Sequence, residues 1–120
     1  MEHTILVVED EQGIREAIGI YMKNQGYNVI LAANGKEGLE KIETNDIHLA
    51  IVDIMMPIMD GFEASDYISK KKPHIPIVAL TAISEEINKE LFVAASIKKV
   101  LSKPVNVEEL YDTILQLVTE

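Results

Sequence analysis

Four short apolar runs recur along the chain with almost no polar residue inside them. They are Ile5 to Val8, Val29 to Ala32, Leu49 to Val52 and Ile77 to Leu80, with a shorter fifth at Val100-Leu101. A strand with one wet face alternates apolar and polar residues. These runs do not alternate, so both faces of each strand must be covered. Between them lie segments with helical spacing. Ile14, Ala17, Ile18, Tyr21 and Met22 form the first such stripe, and Gly26 is placed to stop it. Asn34 reads as the N-cap of a second helix carrying Leu39 and Ile42. Phe62, Ser65 and Ile68 mark a third that ends near Lys70-Lys71-Lys72-Pro73. Ile87, Leu91, Phe92 and Ala95 mark a fourth. Asn106 opens a fifth, with Leu110, Ile114 and Leu117 inward.

Strand and helix thus alternate five times, which demands an α/β architecture: a parallel sheet between two helical layers. Five strands are too few to close an eight-stranded barrel, so the sheet is expected to be open and doubly wound, (βα)5. At 120 residues without a Gly/Ser-rich linker, residues 1–120 read as a single domain. The chain has no Cys, so neither a disulfide framework nor a thiolate metal site is available to it. The formal net charge of -9 argues against a direct nucleic-acid-binding surface. No apolar run approaches the roughly 18 residues of a membrane span, and no basic signal-like start precedes the first strand. No membrane association is expected, and cytoplasmic is the default location.

In an open α/β sheet the ligand site lies beyond the carboxyl ends of the strands. The first strand delivers Glu9 and Asp10 there, the third Asp53, the fourth Thr81 and the fifth Lys103. Three carboxylates, a hydroxyl and an ammonium on one rim form a coherent set. Asp10 and Asp53, supported by Glu9, offer hard oxygen ligands suited to Mg²⁺, with Mn²⁺ as the alternative ion. Such an ion offsets the repulsion among the acids and keeps Asp53 ionised as a nucleophile. An Asp carboxylate can accept a phosphoryl group as an acyl phosphate, with Lys103 and the Thr81 hydroxyl supplying charge and a hydrogen bond.

Four segments, I-L-V-V-E-D-E, D-I-M-M-P-I-M-D-G, A-L-T-A and L-S-K-P, occur in this order along the chain. With them the sequence resembles the receiver domain of two-component response regulators over essentially its whole length. The resemblance implies a flavodoxin-like strand order, 2-1-3-4-5. It implies that Asp53 is the phosphoacceptor, that Glu9 and Asp10 serve Mg²⁺, and that the Met55 backbone carbonyl is a further ligand. Thr81 would be the switch hydroxyl and Lys103 the phosphoryl-contacting lysine, with Lys103-Pro104 a candidate cis bond. The implied partners are a sensor histidine kinase or a histidine phosphotransfer protein, and a downstream effector or covalently linked output domain. The implied oligomeric state is a monomer or a phosphorylation-dependent dimer. Such a domain is not an enzyme beyond assisting its own phosphorylation and dephosphorylation.

Three positions depart from the family pattern. Val100 stands where an aromatic is common three residues before the lysine, Ser96-Ile97 replaces a usual Gly-Ala, and Lys98-Lys99 replaces two acids. Three other functions compete with this one, of which a flavodoxin-like cofactor binder lacks a phosphate-cradling Ser/Thr/Gly-rich loop after the first strand. An aspartyl-phosphate hydrolase of the haloacid-dehalogenase type needs a second acid two residues after the nucleophile, where this chain has Met55. A phosphorylation-independent docking module would not need Asp10, Asp53, Thr81 and Lys103 together, although Val100 is compatible with it.

Overall fold

The computed structural model describes residues 2–119 and has ten elements in strict alternation. They are β1 (Thr4–Val8), α1 (Gln12–Asn24), β2 (Asn28–Ala32), α2 (Gly35–Thr44), β3 (Leu49–Asp53), α3 (Gly61–Lys71), β4 (Ile77–Thr81), α4 (Lys89–Ala94), β5 (Lys99–Ser102) and α5 (Val107–Val118). The strands form one parallel sheet in the order β2-β1-β3-β4-β5, with Ile5 opposite Leu49 and Asp53 opposite Leu80. This is the expected doubly wound sheet. Met1 and Glu120, the ends of the expected domain, lie outside the described residues.

Two-residue periodicity explains why the strands needed no polar positions. In β1, Ile5 and Val7 pack with Ile18 and Met22 of α1 and with Leu110 and Ile114 of α5. Leu6 and Val8 face the opposite layer, with Ile42 of α2 and Ala64 and Ile68 of α3. Both parities are buried, so both are apolar. No described helix is long and apolar enough to cross a membrane.

Helix ends follow the local chemistry. The Asn34, Asp60 and Asn106 side chains accept from the backbone N–H groups of Glu37, Glu63 and Glu109, at 2.9, 2.9 and 3.0 Å. Helix α1 closes with Gly26 at φ 98°, the Gly26 N–H donating to Lys23 O and the Tyr27 N–H to Met22 O. Helix α4 closes the same way on Ser96 at φ 60°, with the Ser96 N–H on Val93 O and the Ile97 N–H on Phe92 O. A serine at the left-handed position costs about 1–2 kcal/mol, and glycine regains only part of that through its own entropy. Ser96→Gly is therefore expected to stabilise the protein by up to ~1 kcal/mol, read as a higher urea midpoint at unchanged slope.

The fourth helix is shorter than its sequence pattern. Ile87 precedes it and is 85% exposed, Leu91 is exposed, and only Phe92 and Ala95 of the expected stripe are buried. Ahead of it, the Ser84 hydroxyl accepts the Ile87 N–H, and the Ser84 carbonyl accepts both the side-chain amide and the backbone N–H of Asn88. Ala17 of the first stripe is also exposed.

Candidate functional site

Four of the five expected side chains meet at the carboxyl ends of the strands. Lys103, just past β5, places Nζ 3.0 Å from Glu9 Oε1 and 3.3 Å from Asp53 Oδ2. Glu9, Asp10 and Asp53 can each offer a carboxylate oxygen within 4.8 Å of the others. The strand order causes this. β1 and β3 are neighbours, so the acids at their ends emerge side by side, and the Lys103 side chain reaches them from β5.

Glu9 is completely buried and Asp53 is 2% exposed, while Asp10 is half-buried. Glu9 Oε2 accepts the Glu11 N–H at 3.2 Å, but its Oε1 has only the Lys103 charge contact, without an aligned hydrogen bond. Asp53 Oδ1 accepts the Met55 N–H at 3.3 Å. Three acids face one ammonium, so two negative charges lack a compensating partner when all are ionised. Burial raises the Asp53 carboxyl from its ordinary 3.8 to about 7, and Glu9 and then Asp10 push it the same way, against the pull of Lys103. Burial opposes the charge on Lys103, but Glu9 and Asp53 outweigh it and hold the ammonium above its ordinary value.

The cluster fits a hard cation. A buried carboxylate oxygen without an aligned donor, inside a cluster of oxygen ligands with excess negative charge, fits Mg²⁺. The set also fits a phosphoryl acceptor, since Asp53 lies beside an ammonium able to meet phosphoryl oxygens.

Thr81 ends β4 beside Leu80, the partner of Asp53 across the sheet. It is buried, and its hydroxyl accepts the Ile83 N–H at 3.0 Å and is not hydrogen-bonded to Asp53. The Lys103-Pro104 bond is cis, as the resemblance implied. Val100 is half-buried against a cluster of Ile54, Ala79 and Phe92, and Phe92 stacks edge-on with Phe62 at 4.9 Å. Of the three loop methionines, Met56 is buried and Met59 half-buried, as filler should be, whereas Met55 is 61% exposed.

Two further residues shape the site. Gly61 sits where a Cβ would collide with the backbone of Asp53 and Ile54. The Arg15 Nη1 donates to Glu9 O at 2.9 Å and makes a longer bond to Asp10 O at 3.4 Å. The available signal for the second was simple: Arg15 is the one arginine of the chain and follows the acidic Glu9-Asp10-Glu11 turn by four residues.

Known proteins resemble this chain in sequence and in fold. Residues 5–115 match the family described as the response regulator receiver domain. The alkaline phosphatase synthesis transcriptional regulatory protein PhoP of Bacillus subtilis (strain 168) is 36% identical over 110 residues, 92% of this chain and 46% of PhoP. This chain therefore spans under half the length of that curated relative. A CheY-like response regulator receiver domain protein from Methanospirillum hungatei JF-1 superposes with a TM-score of 0.94 at 29% identity, covering 99% of this chain and 95% of the other. The response regulator protein TrrA of Thermotoga maritima, solved in complex with Mg(2+)-BeF, gives a TM-score of 0.87 at 35% identity, covering 96% and 98%.

Proposed function

The chain belongs to the response regulator receiver domains, and from that premise we propose that Asp53 accepts a phosphoryl group from a phosphohistidine. The observation that carries this reading is the convergence of Asp53 with Lys103 at 3.3 Å and with Glu9 and Asp10 in one buried acidic cluster. A carboxylate oxygen of Asp53 attacks phosphorus, a P–O bond forms, the N–P bond of the donor breaks, and the donor imidazole leaves with the electron pair and takes up a proton. Lys103 supplies positive charge to the transferring group from a position it already holds. Glu9, Asp10, Asp53 and the Met55 backbone carbonyl would hold Mg²⁺, or Mn²⁺ in its place, which supplies charge neutralisation when bound. The TrrA complex with Mg(2+)-BeF supports that choice of ion.

Phosphorylation adds negative charge and three acceptor oxygens next to Asp53. The Thr81 hydroxyl is then drawn from its bond with the Ile83 N–H toward the phosphoryl group, which shifts an equilibrium between two surfaces. The partners in this reading are a sensor histidine kinase or a histidine phosphotransfer protein upstream, and an effector or linked output domain downstream. The domain works in the cytoplasm as one unit over residues 1–120, as a monomer or a phosphorylation-dependent dimer, and does not itself bind nucleic acid.

Acetyl phosphate with Mg²⁺ tests the reading without a kinase. The expected product is an acid-stable, hydroxylamine-labile phosphoryl group on the peptide containing Asp53, and EDTA abolishes it. Labelling of any other residue, or labelling that survives EDTA, would refute the assignment.

A further inference from the structure

We propose that Arg15 is a positioning residue for the cation site, holding the turn between β1 and α1 so that Glu9 and Asp10 present their carboxylates together. The inference rests on the functional reading above, since it concerns the residues assigned to the cation. Nη1 carries two hydrogens, and it lies within bonding reach of two successive carbonyls, Glu9 O and Asp10 O. A charged donor forms the stronger kind of hydrogen bond, and here it fixes two adjacent peptide units from one point.

The Glu9 N–H donates to Ala32 O at 3.1 Å, and beyond that bond the turn has few other restraints. Glu11 caps α1 without any side-chain hydrogen bond, and the first turn of the helix holds no acid. The Glu9 carboxylate accepts the Glu11 N–H, but that bond occupies an oxygen of a group assigned to the cation. Among the described residues, no lysine, arginine or backbone N–H contacts the Asp10 carboxylate. Arg15 is different because it acts through carbonyls and leaves every carboxylate oxygen free. Helix α1 supplies the rigid support, since the Arg15 N–H is bonded to Glu11 O at 2.9 Å within its first turn. Lysine is not equivalent here: its flexible stem and compact ammonium do not reproduce the fixed fork of a guanidinium.

Groups that orient metal ligands typically affect metal affinity by one to two orders of magnitude. Calorimetric titration of the full chain with Mg²⁺ should therefore show R15M binding roughly tenfold more weakly than wild type. R15K should fall between the two. At saturating Mg²⁺ the acetyl phosphate labelling rate of R15M should return toward wild type, because Arg15 touches no reacting atom. An R15M affinity equal to wild type, with or without a lower metal-free thermal midpoint, marks a merely structural contact and overturns the proposal. If R15M does not fold, R15K decides, and wild-type affinity in R15K overturns it. A wild-type chain that binds no Mg²⁺ would defeat the functional reading together with this inference, whereas normal wild-type binding and an unaltered variant defeat this inference alone.

Discussion

Asp53→Asn is expected to abolish acetyl phosphate labelling and, in the absence of divalent cations, to make the protein more stable at pH 7.5. The second effect follows from the sign of the Asp53 shift. Its carboxyl is ordinary, near 3.8, in the unfolded chain and is raised to about 7 in the fold. Between those values the folded state keeps a proton that the unfolded state has lost, so stability falls as pH rises from about 4 to about 7. Below that window the site costs nothing; above it the full cost of a buried, repelled carboxylate is present. The raised Lys103 contributes no slope in this window, because its change lies above its ordinary 10.5.

Allowing for screening and local relaxation, the cost is on the order of 2 kcal/mol, or roughly 6–8 °C in thermal midpoint for a domain of this size. The amide removes the charge at nearly constant volume, so Asp53→Asn should recover most of it and flatten the pH profile between 4 and 7. Mg²⁺ should act in the opposite sense on the wild type. It binds the ionised acids, so its stabilising effect grows from pH 5 to pH 8 and vanishes with EDTA. Thermal unfolding across pH, with and without Mg²⁺, reads all of these. A metal-free Asp53→Asn midpoint at or below wild type at pH 7.5 would contradict the electrostatic account.

Gly61→Ala opposes two effects of different size. Helix propensity favours alanine over glycine by about 1 kcal/mol, and Gly61 is the first residue of α3. Packing says the reverse. A Cβ at this position would sit 2.6 Å from Ile54 Cα and would also press on the Asp53 carbonyl oxygen, both of them backbone atoms that cannot swing aside. The Gly61 N–H already donates to Ile54 O at 2.9 Å, which ties the start of α3 to the end of β3. Relief requires the two elements to separate, at a cost of about 2–4 kcal/mol and with loss of that bond. We expect a lower urea midpoint and, because Asp53 is part of the displaced backbone, a slower labelling rate. A midpoint equal to or above wild type would mean that propensity had won and that the contact yields easily.

The strand and helix pattern was legible in the sequence because its cause is local. A strand covered on both faces needs apolar residues at both parities, and a helix N-terminus is favoured by an oxygen such as that of Asn34, Asp60 or Asn106. The strand-end residues Glu9, Asp10, Asp53, Thr81 and Lys103 could be named for the same reason: each lies within two residues of the end of an apolar run. The fourth helix is shorter than its spacing implies, because periodicity marks an apolar face and not the residue at which regular helix begins. Ser96 shows a similar limit. Its lost glycine was visible, but the left-handed backbone that makes the loss costly was not.

What the chain's own order of residues determined is which groups stand at the strand ends. What only the tertiary structure decided is how they meet. The sheet order sets β1 beside β3, which brings three acids together and leaves Asp53 with a carboxyl near neutrality and Lys103 as its countercharge. Burial and mutual distance set those energies, and neither is a property of sequence spacing. The same holds for Gly61 and Arg15. One matters because two backbones approach closely, the other because a guanidinium reaches two carbonyls across a turn.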